Sequence, residues 1–315
     1  MANTRWTARD AGDLAGRRIL ITGGNSGIGF EAAQMLAGQN AGVVIACRNL
    51  TKGEAAINAI RARTPDADVS LLELDLADLA SVEVAAERYR EQYDSLDVLV
   101  NNAGVMALPY RQTVDGFEMQ FGTNHLGHFA LTGRLLDALL AATSPRVVTV
   151  SSGAHRAAID GLDNVDASKG YQKWRAYATS KLANLLFTFE LQRRVEQAGV
   201  NLSAVAAHPG YTNTNLQTAG PQMAGSKIGE LFHVVGAGIL GQGARMGALP
   251  TVYAAVADDV RGGDYIGPAG IAEMRGYPTK VHSTRAARDP ATAAELWSLS
   301  QRLTRVTYDA LAPGG

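Results

Sequence analysis

Six short apolar runs punctuate the first two-thirds of the chain, at 18–22, 43–47, 69–74, 96–100, 146–150 and 202–206. Stretches of helical character lie between or after them, at 27–38, 52–63, 79–93, 114–142 and 173–197. Runs that are near-continuously apolar, rather than alternating, belong to strands buried on both faces, which is the condition of a parallel sheet. Right-handed crossovers between such strands place helices on both sides. The pattern therefore predicts an α/β fold, a doubly wound parallel sheet of about seven strands. No linker, repeat or low-complexity tract divides the chain. It reads as a 1–16 extension, a single domain over 17–300 and a 301–315 tail.

Apolar residues make up 46% of the 315, enough for a large core, and 29 Lys and Arg nearly balance 30 Asp and Glu. That balance gives no reason to expect nucleic acid or an anionic membrane surface as partner. A single cysteine, Cys47, precludes an internal disulfide and suits a reducing compartment. The start, Met1 to Trp6, is polar, and no run of 18 uncharged apolar residues occurs, so neither a signal peptide nor a membrane span is expected. The expected location is cytoplasmic.

The first strand hands over to the first helix through Thr22-Gly23-Gly24-Asn25-Ser26-Gly27-Ile28-Gly29. Amides at a helix start receive a pyrophosphate, and glycines let it come close. Gly23, Asn25, Ser26, Gly27, Ile28 and Gly29 are thus the candidate dinucleotide cradle. The second strand ends Cys47-Arg48-Asn49, with no acidic residue until Glu54. An acidic residue there would take the ribose 2′-hydroxyl of NAD, whereas Arg48 suits a 2′-phosphate. The expected cofactor is NADP(H) in preference to NAD(H).

Tyr177 and Lys181 stand four apart in the last long helical stretch and share one face of it. A phenol ionises near pH 10, and an ammonium held beside it favours the phenolate. By itself Tyr-x-x-x-Lys is a common surface pair. Here it follows a dinucleotide turn.

Together these residues resemble the short-chain dehydrogenase/reductase family. The resemblance rests on the turn at 22–29, Asp75-Leu76 after the third strand and Asn101-Asn102-Ala103-Gly104 after the fourth. It continues through Asn124, Ser152, Tyr177 with Lys181, and Pro209-Gly210 with Thr212 and Thr214 after the sixth strand. Val150 to His155, Ser180 to Asn184, Tyr265 to Pro268 and Leu296-Trp297 bring it nearest the retinol-dehydrogenase branch. The resemblance implies a single-domain Rossmann fold and an alcohol dehydrogenase or carbonyl reductase. Tyr177 would be general acid/base, Lys181 would lower its pKa and bind the nicotinamide ribose, Ser152 would hold the substrate oxygen, and Asn124 would position a water. Asp75 and Leu76 would meet the adenine, and Asn49 would bind the cofactor with Arg48. Pro209, Gly210, Thr212 and Thr214 would bind it from the sixth strand's end, and Asn101 would brace the sheet. Asn102, Ala103 and Gly104 would flank the cofactor. Two rivals remain: reduction of a carbon–carbon double bond, and a non-catalytic sensor of NADP(H).

His125 and His128 lack a carboxylate at ligand spacing, so no metal site is expected. The insertion 155–175, with Tyr171 and Trp174, is expected at the pocket rim, where His155 is either a neighbour or a structural residue. A glycine-broken apolar stretch at 220–247 suits a lid, within about 212–250, over a small apolar carbonyl or alcohol substrate. Core helix and interface are its alternatives. Leu182, Leu185, Leu186, Phe187, Phe189 and Leu191 cover much of the Tyr177 helix, and members of the family pair this helix with a copy of itself. A homodimer or homotetramer is expected.

Overall fold

The structure, a computed structural model, describes residues 5–159, 161–212 and 242–312. Strands β1 (Arg18–Thr22), β2 (Gly42–Cys47), β3 (Val69–Glu73), β4 (Val98–Asn101), β5 (Arg146–Val150) and β6 (Ser203–Ala207) follow the six apolar runs. Helices α1 (Gly27–Ala37), α2 (Leu50–Arg61) and α3 (Leu79–Gln92) connect the first four. Between β4 and β5 lie α4 (Met119–Phe121), a π turn (Gly122–Leu126), α5 (Gly127–Arg134) and α6 (Leu136–Leu140). Then come α7 (Lys173–Ala198), α8 (Ala244–Val256), β7 (Tyr265–Pro268), β8 (Pro278–Lys280) and α9 (Pro290–Thr304).

One sheet of eight strands runs β3-β2-β1-β4-β5-β6-β7-β8. Its pairs are parallel up to β7, and β8 returns antiparallel as the edge. The order reverses beside β1, where chain passes outward to β2 on one side and β4 on the other. In doubly wound sheets the crevice at that reversal, at the carboxyl ends of the strands, receives the ligand.

Alternate side chains of each strand serve two cores. Ile19, Ile21, Val43, Ile45, Val98 and Val100 face α1, α2 and α8. Leu20, Val44, Leu72, Leu99 and Val147 face α3, α5, α7 and α9. This is why the strand sequences carry no polar face.

The fourth strand starts two residues later than the apolar run. Asp97 exchanges bonds with Arg18, accepting its N–H on Oδ2 at 2.7 Å, and so closes the strand's edge before the ladder begins. The 114–142 stretch is shorter and broken. Residues 113–117 make a turn, with Thr113 N–H on the Phe117 carbonyl at 2.8 Å. The Glu118 carboxylate then caps α4 through Gln120 N–H at 2.9 Å and Phe121 N–H at 2.7 Å.

Among the described residues, neither 5–16 nor 301–312 stands apart from the domain. Trp6 packs edge-on against Tyr253 of α8 at 4.9 Å, and Leu14 is buried. The boundary at residue 300 falls inside α9, beyond which Val306, Tyr308 and Leu311 are buried against α5 and α7. Phe129, Phe187, Trp297 and Tyr308 form one aromatic cluster, with centroids 4.6–5.9 Å apart and Arg194 over Trp297 at 4.5 Å. Leu182, Leu185, Leu186, Phe187 and Leu191 are accordingly covered within the chain. Phe189, half-buried, carries Arg288 over its ring at 4.2 Å. The apolar surface behind the expectation of self-pairing is used in cis. Among the described residues no helix is long and apolar enough to cross a membrane.

Candidate active site

A cleft of about 520 Å³ opens over the carboxyl ends of β1, β4, β5 and β6. Its floor is the glycine turn. Gly23 sits at φ 68°, and a Cβ there would come within 3.1 Å of Ala103. A Cβ on Gly29 would meet Asn102 Nδ2 at 2.5 Å and the Gly23 carbonyl. Bare backbone is thus required where the turn meets the end of β4. The Ser26 side chain makes no cap bond to α1, so the first-turn amides keep their donor capacity. Gly23, Asn25, Ser26, Gly27, Ile28, Gly29, Asn102, Ala103 and Gly104 all line the cleft. A bare helix N-terminus of this kind fits a pyrophosphate.

Thr22 locks the two strand ends together. Its hydroxyl accepts N–H from Asn102 and from Ala103, both at 2.9 Å, while Asn102 Nδ2 donates to the Thr22 carbonyl at 2.8 Å. His128 Nδ1 donates to the Asn124 carbonyl at 3.0 Å, which leaves Nε2 to accept from Thr22 at 2.9 Å. Burial pushes the His128 pKa down to about 4. His125 bonds Ser300 at 2.8 Å and is pushed down to about 3 by burial. Both rings are committed to the core. Asn101 is fully buried and reaches Thr132 at 3.0 Å, tying β4 to α5.

Asn124 stands in the π turn, a widened coil that turns a side chain out of the regular helical path. Its Oδ1 accepts Val105 N–H at 2.7 Å, and its Nδ2 donates to the Val105 carbonyl and to Ser180 Oγ, both at 2.9 Å. The side chain pins the strap after β4 to α7. A Cβ on Gly104 would lie 3.1 Å from Asn124 Oδ1 and 3.6 Å from Lys181 Nζ, so Gly104 keeps this corner open.

Tyr177 and Lys181 lie on α7 facing the cleft, both buried. Lys181 Nζ is 5.8 Å from the Tyr177 ring centre and donates to the Val150 carbonyl at 3.0 Å. Ser152, at the end of β5, caps the following turn by accepting Ala154 N–H at 3.2 Å. Burial pushes the Tyr177 phenol up to about 12, and a hydrogen bond with Ser152 offsets part of that. Burial likewise pushes Lys181 down to about 8. The expected acidification of Tyr177 by Lys181 is therefore outweighed in the protein alone. The ammonium is aimed at a carbonyl rather than the phenol oxygen, and desolvation dominates.

Arg48, Asn49, Asp75 and Leu76 lie outside the cleft's lining. Arg48 Nη1 instead pairs with Asp75 Oδ2 at 3.4 Å across the ends of β2 and β3, its side chain 76% exposed. Asn49 caps α2, accepting Lys52 N–H at 2.9 Å, and Leu76 is buried. Pro209, Gly210 and Thr212 line the cleft. Thr214 and most of the expected lid fall outside the described residues. Trp174 lines the rim, 6.5 Å from Tyr177. Tyr171 is a strut instead, donating to the Leu108 carbonyl at 2.7 Å and bonding Gln120 at 2.9 Å. His155 is structural: Nδ1 donates to the Ser152 carbonyl at 2.7 Å and Nε2 accepts Thr284 N–H at 3.3 Å.

The sequence profile of the family described as short chain dehydrogenase matches residues 17–224. The chain is 37% identical to retinol dehydrogenase 13 of Homo sapiens over 297 residues, 92% of this chain and 85% of that protein. The chain belongs to the short-chain dehydrogenase family. Retinol dehydrogenase 12 of Homo sapiens is 45% identical over 203 residues, 64% of each protein. An uncharacterized protein from Mycobacterium Paratuberculosis superposes with TM-score 0.78 at 45% identity, covering 97% of this chain and 99% of its own. A short chain dehydrogenase from Shigella flexneri 2a str. 301, complexed with NADP, superposes with TM-score 0.60 at 25% identity, over 80% and 96% of the two chains. Membership of this family, on its retinol-dehydrogenase-like branch, makes the protein an oxidoreductase.

Apart from Arg156, which falls in the 155–175 insertion expected at the rim, the sequence motifs leave out the wall on the β6–β7 side. Met106, Arg156, His208, Tyr211, Ala272, Glu273 and Met274 line the cleft as well. Residues 272–274 come from the loop between β7 and β8, and no sequence signal marks them.

Proposed function

We propose that this chain is an NADP(H)-dependent oxidoreductase, interconverting an apolar alcohol and its aldehyde or ketone. The observation that carries this reading is the convergence of Ser152, Tyr177 and Lys181 in the cleft floored by the glycine turn. When bound, the nicotinamide supplies or accepts hydride. The rest belongs to the chain. Ser152 holds the substrate oxygen, and Tyr177 delivers its proton in reduction or takes one in oxidation. An un-ionised phenol at neutral pH is the form needed to donate, consistent with a pKa raised by burial. The Lys181 ammonium, 5.8 Å from the Tyr177 ring centre, is the group proposed to stabilise negative charge that develops on the phenol oxygen. Asn124 holds the strap and α7 in register around that lysine, and is the residue proposed to position the water.

The apolar substrate class is supported by Met106, Ala154, Trp174, Tyr211 and Met274 in the lining. Preference for NADP(H) rests on Arg48 at the β2 end, and a cytoplasmic location on the reducing habit of Cys47, a free buried thiol. The test is NADPH absorbance followed against apolar aldehydes and ketones. Tyr177→Phe should lower turnover by about 10²–10⁴-fold, with thermal stability nearly unchanged. Turnover near wild type would remove Tyr177 from the reaction.

A further inference from the structure

Three charged or titratable side chains meet on the β6–β7 side of the cleft and are not used by the reaction above. Arg156 Nη2 donates to Glu273 Oε1 at 3.1 Å and Oε2 at 3.0 Å, and to the His282 carbonyl at 3.3 Å. His208 Nε2 lies 3.0 Å from Glu273 Oε2, and its Nδ1 accepts Gly210 N–H at 3.3 Å, so Nε2 is the donor. Burial pushes the His208 pKa down to about 4, with Glu273 opposing, so the ring is neutral at ordinary pH. The cluster therefore carries one cation, one anion and no net charge.

The backbone that presents Glu273 is held in place against its own preference. Ala272 and Glu273 lie at φ 51° and 56°, the left-handed region that a non-glycine residue seldom adopts. Strain of this kind persists only where the surroundings fix it. Here Tyr211 N–H donates to the Met274 carbonyl at 2.8 Å, and Gly210 lacks the Cβ that would strike that carbonyl. The loop is thus clamped onto the segment after β6, with Glu273 and Met274 facing the same cleft as Tyr177.

We propose that Arg156 and Glu273 form the specificity-determining wall of the substrate pocket, accepting a second, neutral hydrogen-bonding group at the far end of an otherwise apolar substrate and rejecting a charged one. This rests on the carbonyl–alcohol reading of the site. Glu273 Oε1 receives one donor and retains acceptor capacity for a hydroxyl, while the remaining guanidinium N–H groups can serve a carbonyl. The pair is partly exposed, Arg156 at 42% and Glu273 at 23% of the side chain, and already balanced, so an added charge gives up part of its hydration there and gains no net counter-charge. An alkyl end would displace water from the pair's remaining donor and acceptor sites without replacing its hydrogen bonds.

The experiment uses four aldehydes of equal chain length ending in methyl, hydroxyl, carboxylate and ammonium, assayed with NADPH. Wild type should favour the hydroxyl end, with both charged ends about tenfold or more below it in kcat/KM. Glu273→Gln leaves the wall positive and should raise the carboxylate end selectively; Arg156→Gln leaves it negative and should raise the ammonium end. Affinities of the four corresponding alcohols, measured by calorimetry without turnover, should rank the same way. If both variants move all four ends by the same factor, in rates and in affinities, the wall does not select and the proposal is overturned. If no aldehyde is turned over while the alcohols still rank as described, the wall stands and the oxidoreductase reaction is what fails.

Discussion

Arg48 offers a quantitative test of cofactor choice, because its position sets the size of the effect. Its guanidinium is largely in solvent and 3.4 Å from the Asp75 carboxylate. An exposed ion pair of that kind contributes about 0–1 kcal/mol, so Asp75 gives up its partner easily. A charge-assisted hydrogen bond to a phosphate contributes about 1.5–3 kcal/mol. After the exchanged ion pair is subtracted, Arg48→Ala should weaken NADPH by about 0.5–3 kcal/mol, or roughly 2- to 150-fold. NADH, without the 2′-phosphate, should bind as before. Asp75, no longer neutralised, would face the phosphate in the variant, so adding Asp75→Asn should recover part of the loss. The assay is the dissociation constant of each dinucleotide, by nicotinamide fluorescence at several salt concentrations, since an exposed contact weakens with salt. Equal losses for NADPH and NADH, or none for either, would refute the assignment of Arg48.

Lys181 should leave a mark on stability against pH. Burial lowers it from 10.5 to about 8, so between those values the unfolded chain binds more protons than the native one. Stability from this group then rises with pH. Tyr177, raised from 10 to about 12, acts in the opposite sense above pH 10, because the native chain holds its proton longer. The clean window is pH 8–10, where urea midpoints of wild type should climb relative to Lys181→Met; parallel curves would contradict the buried ammonium. The homodimer or homotetramer expected from the family should give two or four times the 33.2 kDa of one chain by light scattering, through a surface other than the α7 side chains covered in cis. A mass of one chain would remove it. A dimer cross-linked through α7 would show that another part of that helix pairs.

How legible each feature was depended on the range of the interaction behind it. β1 and β5 start and stop where the apolar runs do, because a strand buried on both faces is apolar nearly throughout, Thr149 being the one polar residue inside β5. The cradle was legible because Gly23 and Gly29 answer to backbone contacts that forbid a Cβ, whatever the rest of the chain does. Tyr177 and Lys181 could be paired from their spacing alone, since one helical turn separates them.

The sequence by itself thus determined the parallel sheet, the dinucleotide turn and the face of α7 that carries the tyrosine and lysine, all set by local period and local sterics. Tertiary structure decided the rest. Desolvation, a property of surroundings from many segments, turned the Tyr177 shift upward where the neighbouring lysine alone suggested the reverse. Trp297 and Tyr308, more than a hundred residues away, covered the helix that appeared to need a partner. Glu273 reached Arg156 only through a loop whose left-handed residues are not glycines, a conformation that packing imposes and composition does not announce.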